Sequence, residues 1–199
     1  MKITYISAQS KTEDKDFSGK PAISFAAART DVFPLTEPYV ETPTFFYGTG
    51  NINSLFETLK DCNVCVCFHT YCIDLLQKYS PFDNPIEYNI KLVSLSGIIE
   101  DEIEQRVYMN TVGKALGINR KVFNGKSYIS LWKNKEDEKI KDCIYTDINI
   151  IRECFVYMME NEYMTLTHPY NDKQVKLYVG FVKDYVRDIN KGSYNERYG

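Results

Sequence analysis

Four cysteines and a histidine crowd into one short segment and have the residue types and spacing of metal ligands. They are Cys62, Cys65, Cys67, Cys72 and His69. Thiolates and imidazoles at such spacing are typical zinc ligands. The apolar run 64–68 favours another interpretation, because successive side chains of a strand point to opposite sides of a sheet and cannot all converge on one ion. We therefore predict small buried thiols in the core, with a zinc site as the alternative.

Two aspartates lie at positions that a fold could bring to a common site. Asp74 opens a helix after an apolar strand, and Asp147 lies beside the apolar stripe of the strongest helical pattern. Carboxylates are the ligands that hard cations such as Mg²⁺ prefer. A structural interpretation stands beside this one for each residue: Asp74 as an acid stabilised by the helix dipole, and Asp147 as a solvated helix residue.

Strands and helices must alternate along the chain to position these residues. Short apolar or alternating runs predict strands at 2–8, within 21–33, and at 44–47, 64–68, 91–93 and 175–179. Apolar residues at helical spacing predict helices at 52–59, 73–79, 110–117, 136–160 and 181–189. The run 64–68 is apolar on both faces, which predicts the centre of a sheet covered by helices, and 175–179 predicts an edge strand.

A resemblance to a known family lies in the buried strand and the helix after it. The text there is Val66-Cys67-Phe68-His69-Thr70-Tyr71-Cys72-Ile73-Asp74-Leu75-Leu76. It resembles the second motif of the DEDD 3′ to 5′ exonucleases, a family of the RNase H-like superfamily. Segments 116–117, 125–132, 140–148 and 157–163 resemble the latter half of that family. The resemblance implies an α/β fold, an RNase H-like mixed sheet that is parallel at its centre and flanked by helices.

The resemblance also implies a site and its chemistry. Family members use four acids to hold two Mg²⁺ ions about 4 Å apart for phosphodiester hydrolysis. Asp74 and Asp147 stand at two of these positions. The other two form Asp-x-Glu at the end of the first strand, where this chain has Ser7 and Gln9. Neutral side chains offset no cationic charge, so the resemblance implies that the Mg²⁺ or Mn²⁺ site, and with it hydrolysis, is weakened or lost.

The late motif departs from the family as well. Members have a Tyr four residues, or a His five residues, before the last aspartate to orient the attacking water. This chain has Cys143 and Asp142 at those positions. Tyr145 precedes Asp147 by only two residues, which on a helix turns it about 200° away.

Several other residues have both a functional and a structural interpretation. His69 fits a turn residue or a general base. Trp132, Tyr128 and Lys126 could stack on and contact a nucleic-acid strand, or lie in the core. The run 133–139 mixes both signs of charge and predicts a solvated face.

Composition limits the partners. The chain has 199 residues, 44% apolar and 26% charged, which predicts one domain over residues 1–199 with a polar tail from about 191. No run of about 18 apolar residues or signal peptide is found, so we expect no membrane partner and an intracellular location. The net charge of −3 means that a nucleic acid would have to be met by local charge.

We therefore expect a degenerate DEDD exonuclease-like domain that binds single-stranded nucleic acid, or holds a protein partner, in a replication, repair or viral assembly. One alternative is an active 3′ to 5′ exonuclease that adds Glu13, Asp14 or Asp16 to Asp74 and Asp147 in a rearranged site. A second alternative is a structural or interaction protein without nucleic acid, which the acidic pI favours.

Overall fold

The computed structural model describes residues 1–10, 23–33, 43–47, 49–79, 91–121, 128–168 and 172–190. The strands are β1 (Lys2–Ser10), β2 (Ile23–Val32), β3 (Thr44–Tyr47), β4 (Val64–Cys67), β5 (Lys91–Ser94), β6 (Tyr163–Thr167) and β7 (Gln174–Tyr178). The helices are α1 (Thr49–Lys60), α2 (Thr70–Tyr79), α3 (Leu95–Ile103), α4 (Met109–Ala115), α5 (Tyr128–Lys133), α6 (Asp137–Glu160) and α7 (Phe181–Asn190). Within these ranges, no helix is both long and apolar enough to cross a membrane.

Five of the strands form a mixed sheet in the order β3-β2-β1-β4-β5. β2 runs antiparallel to both β1 and β3, whereas β4 runs parallel to both β1 and β5. This is an RNase H-like arrangement, and the predicted α/β fold with a mixed sheet flanked by helices is confirmed. One detail of the prediction was wrong: β1 is the central strand, and β4, although buried along its whole length, lies next to it.

The two faces of this sheet carry separate apolar cores. On β1, Ile3 and Tyr5 belong to the core beneath α6, whereas Ile6 and Ala8 belong to the core beneath α1 and α2. The α6 core is the larger, because it also receives side chains from α3, α4, α7, β6 and β7. Since side chains alternate along a strand, Ser7 lies on the same face as Tyr5.

The strands β6 and β7 form a separate two-stranded antiparallel sheet, which we call the hairpin. The alternating run at 175–179 was predicted as an edge strand, yet β7 pairs with β6 and not with the described part of the main sheet. Met164, Leu166 and Leu177 on its inner face are buried in the α6 core. The sequence patterns did not predict β6, α3 or α5, each of nine residues or fewer.

All six cysteines are free thiols and buried, which confirms the prediction of core cysteines. The reasoning from alternation was wrong, however. Cys65 and Cys67 are two residues apart and share one face, where they lie in the same apolar cluster as Cys62 and Cys72. Desolvation by burial raises the pKa of Cys65 well above its usual value and the pKa of Cys62 to about 11, so both thiols stay protonated and inert at neutral pH.

A buried ion network joins α6 to β2. The Asp31 carboxylate accepts hydrogen bonds from Nε of Arg29 at 3.0 Å and from Nε of Arg152 at 2.5 Å. Arg152 also pairs with the partly buried Glu153. The two guanidinium groups therefore meet two carboxylates, as burial of charge requires. This network sets the position of the second half of α6 over the sheet.

Tyr5 lies on the central strand beside this network and under α6. Its ring meets Phe155 edge-on, with the ring centroids 6.1 Å apart. Its hydroxyl is buried and has no hydrogen-bond partner among the described residues. Burial raises the pKa of Tyr5, and the nearby Asp31 carboxylate raises it further. The phenol therefore stays neutral and contributes packing rather than a hydrogen bond.

We predict that Tyr5→Phe stabilises the fold by about 1 kcal/mol, because it removes a buried hydroxyl that loses its bonds to water and gains none in return. Urea denaturation measures this as a higher midpoint at unchanged slope. Tyr178→Phe is the control: its residue is 47% exposed, so the same change there should stay within about 0.5 kcal/mol. A clear loss of stability in Tyr5→Phe would mean that the hydroxyl has a partner.

Candidate functional site

The Asp147 carboxylate is fully buried, and both of its oxygens are occupied by protein donors. Nε of Arg120 donates to Oδ1 at 2.6 Å, and a terminal nitrogen of the same guanidinium donates to Oδ2 at 2.9 Å. The hydroxyl of Tyr128 also donates to Oδ2, at 2.5 Å. The interpretation of Asp147 as a solvated helix residue was therefore wrong. Tyr128, predicted to stack on nucleic acid or lie in the core, is half-buried and bonded to this carboxylate.

The protonation states of the two donors follow from this contact. Burial alone would lower the pKa of Arg120, but the hydrogen bonds and negative charge of Asp147 raise it above its usual value. Burial also raises the pKa of Tyr128, and the Asp147 carboxylate raises it further. Both groups keep their protons at any physiological pH, so the donors to Asp147 are permanent.

Two glycines allow the chain to bring Arg120 to α6. One lies within α4 and the other just after its end. Gly117 ends the helix with a φ of +72°, a left-handed conformation that glycine adopts without strain. A Cβ at Gly113 would lie 2.8 Å from the carbonyl oxygen of Ile118 and 3.0 Å from Cδ1 of Ile150 on α6. Only glycine at 113 therefore allows the segment that carries Arg120 to pack this closely. The sequence predicts a helix that ends at Gly117, and α4 does end just before this glycine.

Two further contacts hold this segment along α6. The Cys143 thiol donates to the carbonyl oxygen of Lys121 at 3.2 Å, and Nζ of Lys121 lies 3.0 Å from the Asp142 carboxylate. The resemblance noted in the sequence aligned Cys143 and Asp142 with a water-orienting Tyr or His. In this chain both residues bind the segment that supplies Arg120.

α6 crosses the sheet over the row of cross-strand partners that contains Ser7. The strand register aligns Ser7 with Ala27 on β2 and Ala27 with Phe45 on β3. The Phe45 ring meets Tyr145 of α6 edge-on, at a centroid distance of 6.4 Å. Tyr145 therefore faces β3, and Asp147, about 200° further around the helix, lies on the opposite flank of α6.

His69 follows β4 and is electrostatically coupled to the buried pair. Its Nδ1 lies 3.2 Å from the hydroxyl of Ser96, and its ring packs edge-on against Phe68. Burial is the main cause that lowers the pKa of His69; by smaller amounts, the Glu100 carboxylate raises it and the positive charges of Arg106 and then Arg120 lower it. The side chain is a neutral imidazole bonded to the start of α3, which fits the interpretation as a turn residue.

The structure places three of the four predicted site residues on one side of the sheet and the fourth on the other. Ser7 is buried on the face of β1 that α6 covers, and Gln9 is partly buried further along the same strand. Asp147 lies within that covering helix. Asp74 is exposed on α2, whose buried Leu75 belongs to the opposite core. The prediction that Asp74 opens this helix was wrong, because α2 begins at Thr70 and no acid lies in its first turn. Among the described residues, Asp74 has no hydrogen bond or ion pair to the other three.

These residues do not fit a pair of Mg²⁺ ions. A hard cation needs free oxygen ligands and negative charge, but the Asp147 oxygens are taken and Ser7 and Gln9 are neutral. Within the described ranges, no three His, Cys, Asp or Glu side chains are grouped so that they could hold a metal ion. The acids of the rearranged-site alternative lie outside the described residues: Glu13, Asp14 and Asp16. Lys126, the side chain of Trp132 and the predicted polar tail lie outside them as well.

Reasoning from the sequence missed Arg120, the residue that changes the chemistry of the site most. It lies 27 positions before its partner, in a segment without apolar periodicity. The stop glycine at 117 was the one available signal, because it indicates that the chain turns back just before Arg120. Nothing in that signal specifies which acid the guanidinium meets.

Comparison with known proteins adds no family. None of the protein-family models matches the chain, and no curated protein matches it either.

We predict that Arg120→Met destabilises the protein by about 3 kcal/mol, because it leaves the Asp147 carboxylate buried without its cation. Urea denaturation measures the change. Replacing the pair together, as Arg120→Met with Asp147→Leu, should recover most of the loss because no buried charge remains.

The matched control is Lys121→Met, the neighbouring residue. Its ion pair with Asp142 joins two side chains that are 55% and 52% exposed, so its loss should cost less than about 1 kcal/mol. Equal losses for the two single variants would contradict the assignment of a buried, structurally required pair.

We predict that His69 makes stability depend on pH. The fold lowers the pKa of His69 below its usual value of 6.5, so the unfolded chain binds a proton that the folded protein does not. The stability from neutral His69 is full above about pH 6.5 and declines as the pH falls through the unfolded-state value. His69→Gln should therefore show a flatter decline in urea midpoint between about pH 7.5 and pH 5.

The control for this measurement is His168→Gln, which removes the other of the two histidines. It should retain the wild-type decline. A wild-type slope in His69→Gln would assign the pH dependence to other groups.

Proposed function

We propose that this protein is a degenerate DEDD exonuclease-like domain that binds single-stranded nucleic acid without hydrolysing it. The proposed loss of hydrolysis is based on the bidentate contact of Arg120 with Asp147. The hydroxyl of Tyr128 adds a third hydrogen bond to the same carboxylate. In the family that the sequence resembles, the carboxylate of the last aspartate binds the metal ions. Here a guanidinium neutralises that charge.

The cost of displacing Arg120 supports this proposal. A divalent ion at Asp147 would have to break two charge-assisted hydrogen bonds and a third bond from Tyr128. It would also leave a partly buried guanidinium without its partner, which is strongly unfavourable. No other carboxylate on the described part of β1 compensates for that loss, because Ser7 and Gln9 are neutral.

The same charges support binding of a phosphate backbone without metal. Four unneutralised acids would repel the phosphates of a nucleic acid. In this chain Ser7, Gln9 and the Arg120–Asp147 pair together carry no net charge. The nucleic-acid part of the proposal otherwise depends on analogy with the RNase H-like fold, since a fold alone does not determine function.

A trimming assay tests the proposal. Pure protein is incubated with end-labelled single-stranded DNA and RNA in Mg²⁺ and in Mn²⁺, and each mixture is run on both native and denaturing gels. We expect a retarded band on the native gel and an unshortened strand on the denaturing gel, because binding survives and the metal site does not.

Two variants make a positive result interpretable. Asp147→Asn removes the negative charge of the buried carboxylate at nearly constant size, and Asp142→Asn removes an exposed charge from the same helix. Trimming lost in Asp147→Asn and kept in Asp142→Asn would overturn the proposal in favour of an active exonuclease. Trimming that both variants retain indicates a contaminating nuclease. Absence of any retarded band would favour a structural or interaction protein.

A further inference from the structure

The outward face of the hairpin carries two exposed aromatic side chains. Tyr163 of β6 and Tyr178 of β7 are paired directly across the strands and are 45% and 47% exposed. Their rings meet edge-on, with the centroids 5.6 Å apart. The remaining outward residues of the two strands are exposed and polar: Thr165, Thr167, Gln174 and Lys176. We call these six side chains the hairpin face.

The positions of both rings are fixed by their neighbours. The Lys176 ammonium lies 4.1 Å from the centroid of Tyr163, within the range of a cation–π contact. Tyr178 lies across Gly180, where a Cβ would approach the ring and hydroxyl to between 3.0 and 3.1 Å. The Tyr178 ring also packs at a tilt against the ring of Phe181, with the centroids 6.3 Å apart. Rings that are held in place before binding lose little conformational entropy when a ligand stacks on them.

The charge of this face differs from that of the whole chain. Lys176 is its single charged residue, and no carboxylate lies among its six side chains, although the chain has a net charge of −3. The hairpin face therefore combines exposed rings, hydroxyl and amide groups and one cation. Single-stranded nucleic acid needs this combination, because bases stack on aromatic side chains while the backbone is attracted to a cation.

We infer that the hairpin face is a stacking platform for single-stranded nucleic acid, with Tyr163 and Tyr178 receiving bases and Lys176 contacting a phosphate. The inference rests on the proposed function and adds to it a binding surface outside the degenerate metal site. The inner face of the same hairpin is buried in the α6 core, so the platform is attached to the domain rather than to a free loop.

Fluorescence anisotropy tests the inference. The probes are labelled oligothymidylate and oligouridylate of about 16 nucleotides, measured at low salt and without divalent ions. Tyr163→Thr combined with Tyr178→Thr should weaken binding by about tenfold or more, because it removes both rings. Threonine suits a strand and thus preserves the hairpin. Lys176→Gln should lower the slope of log affinity against log salt by about 0.7, the share of one phosphate contact.

Matched variants separate stacking from other effects. Tyr163→Phe with Tyr178→Phe keeps the rings and should keep the affinity. Val32→Thr removes an apolar side chain that is 63% exposed on β2 and should leave binding unchanged. Thermal melts confirm that each variant is folded. Loss of affinity in the phenylalanine pair equal to that in the threonine pair would overturn stacking.

The outcomes also separate this inference from the proposed function. Wild-type binding that survives unchanged in the folded threonine pair overturns the stacking platform and leaves the proposed function standing. No binding of either oligonucleotide by the wild-type protein overturns both.

Discussion

Asp147 is a carboxylate buried in an apolar core, and such a group must be paired. In this protein the pairing is complete: a guanidinium occupies both oxygens and a phenol adds a third hydrogen bond. Arg120 reaches the carboxylate because Gly113 and Gly117 allow its segment to turn back and pack against α6. The close packing of α4, that segment and α6 therefore depends on the same contact that neutralises the site.

This contact also explains how the fold tolerates the complete burial of the Asp147 carboxylate. A site with one buried carboxylate and no cation would be unstable. A guanidinium provides the missing positive charge from within the chain. It differs from Mg²⁺ in a decisive way, since it cannot activate a water molecule as a nucleophile. Arg120 thus stabilises the buried carboxylate without supplying the Lewis acid that metal-dependent hydrolysis needs.

The hairpin and the Asp147 site belong to the same core but present different surfaces. The inner residues of β6 and β7 pack with those of α6, so the outward rings of Tyr163 and Tyr178 have a rigid support. On the other half of α6, the Asp31 network holds the helix against β2. The middle of the longest helix is therefore held by two buried ion pairs, at Asp147 and at Arg152.

The sequence by itself determined the α/β class and the approximate position of most elements, because alternation and helical periodicity are local properties that burial imposes on each segment. It also determined that Ser7 and Gln9 are neutral. It failed for short elements such as β6 and α3, which contain too few residues for a period to be recognised. The spacing of Cys65 and Cys67, two residues apart on a strand, already indicates that they share one face, and the prediction overlooked this.

Only the tertiary structure decided which partner Asp147 has. A buried acid and an arginine 27 positions apart can meet only if the intervening turn, helix packing and strand register all bring them together. Those distances are set by the whole core and not by any local pattern. The chemistry of this site is therefore a property of the assembled fold, since the charge that neutralises Asp147 comes from a segment whose own sequence does not indicate its destination.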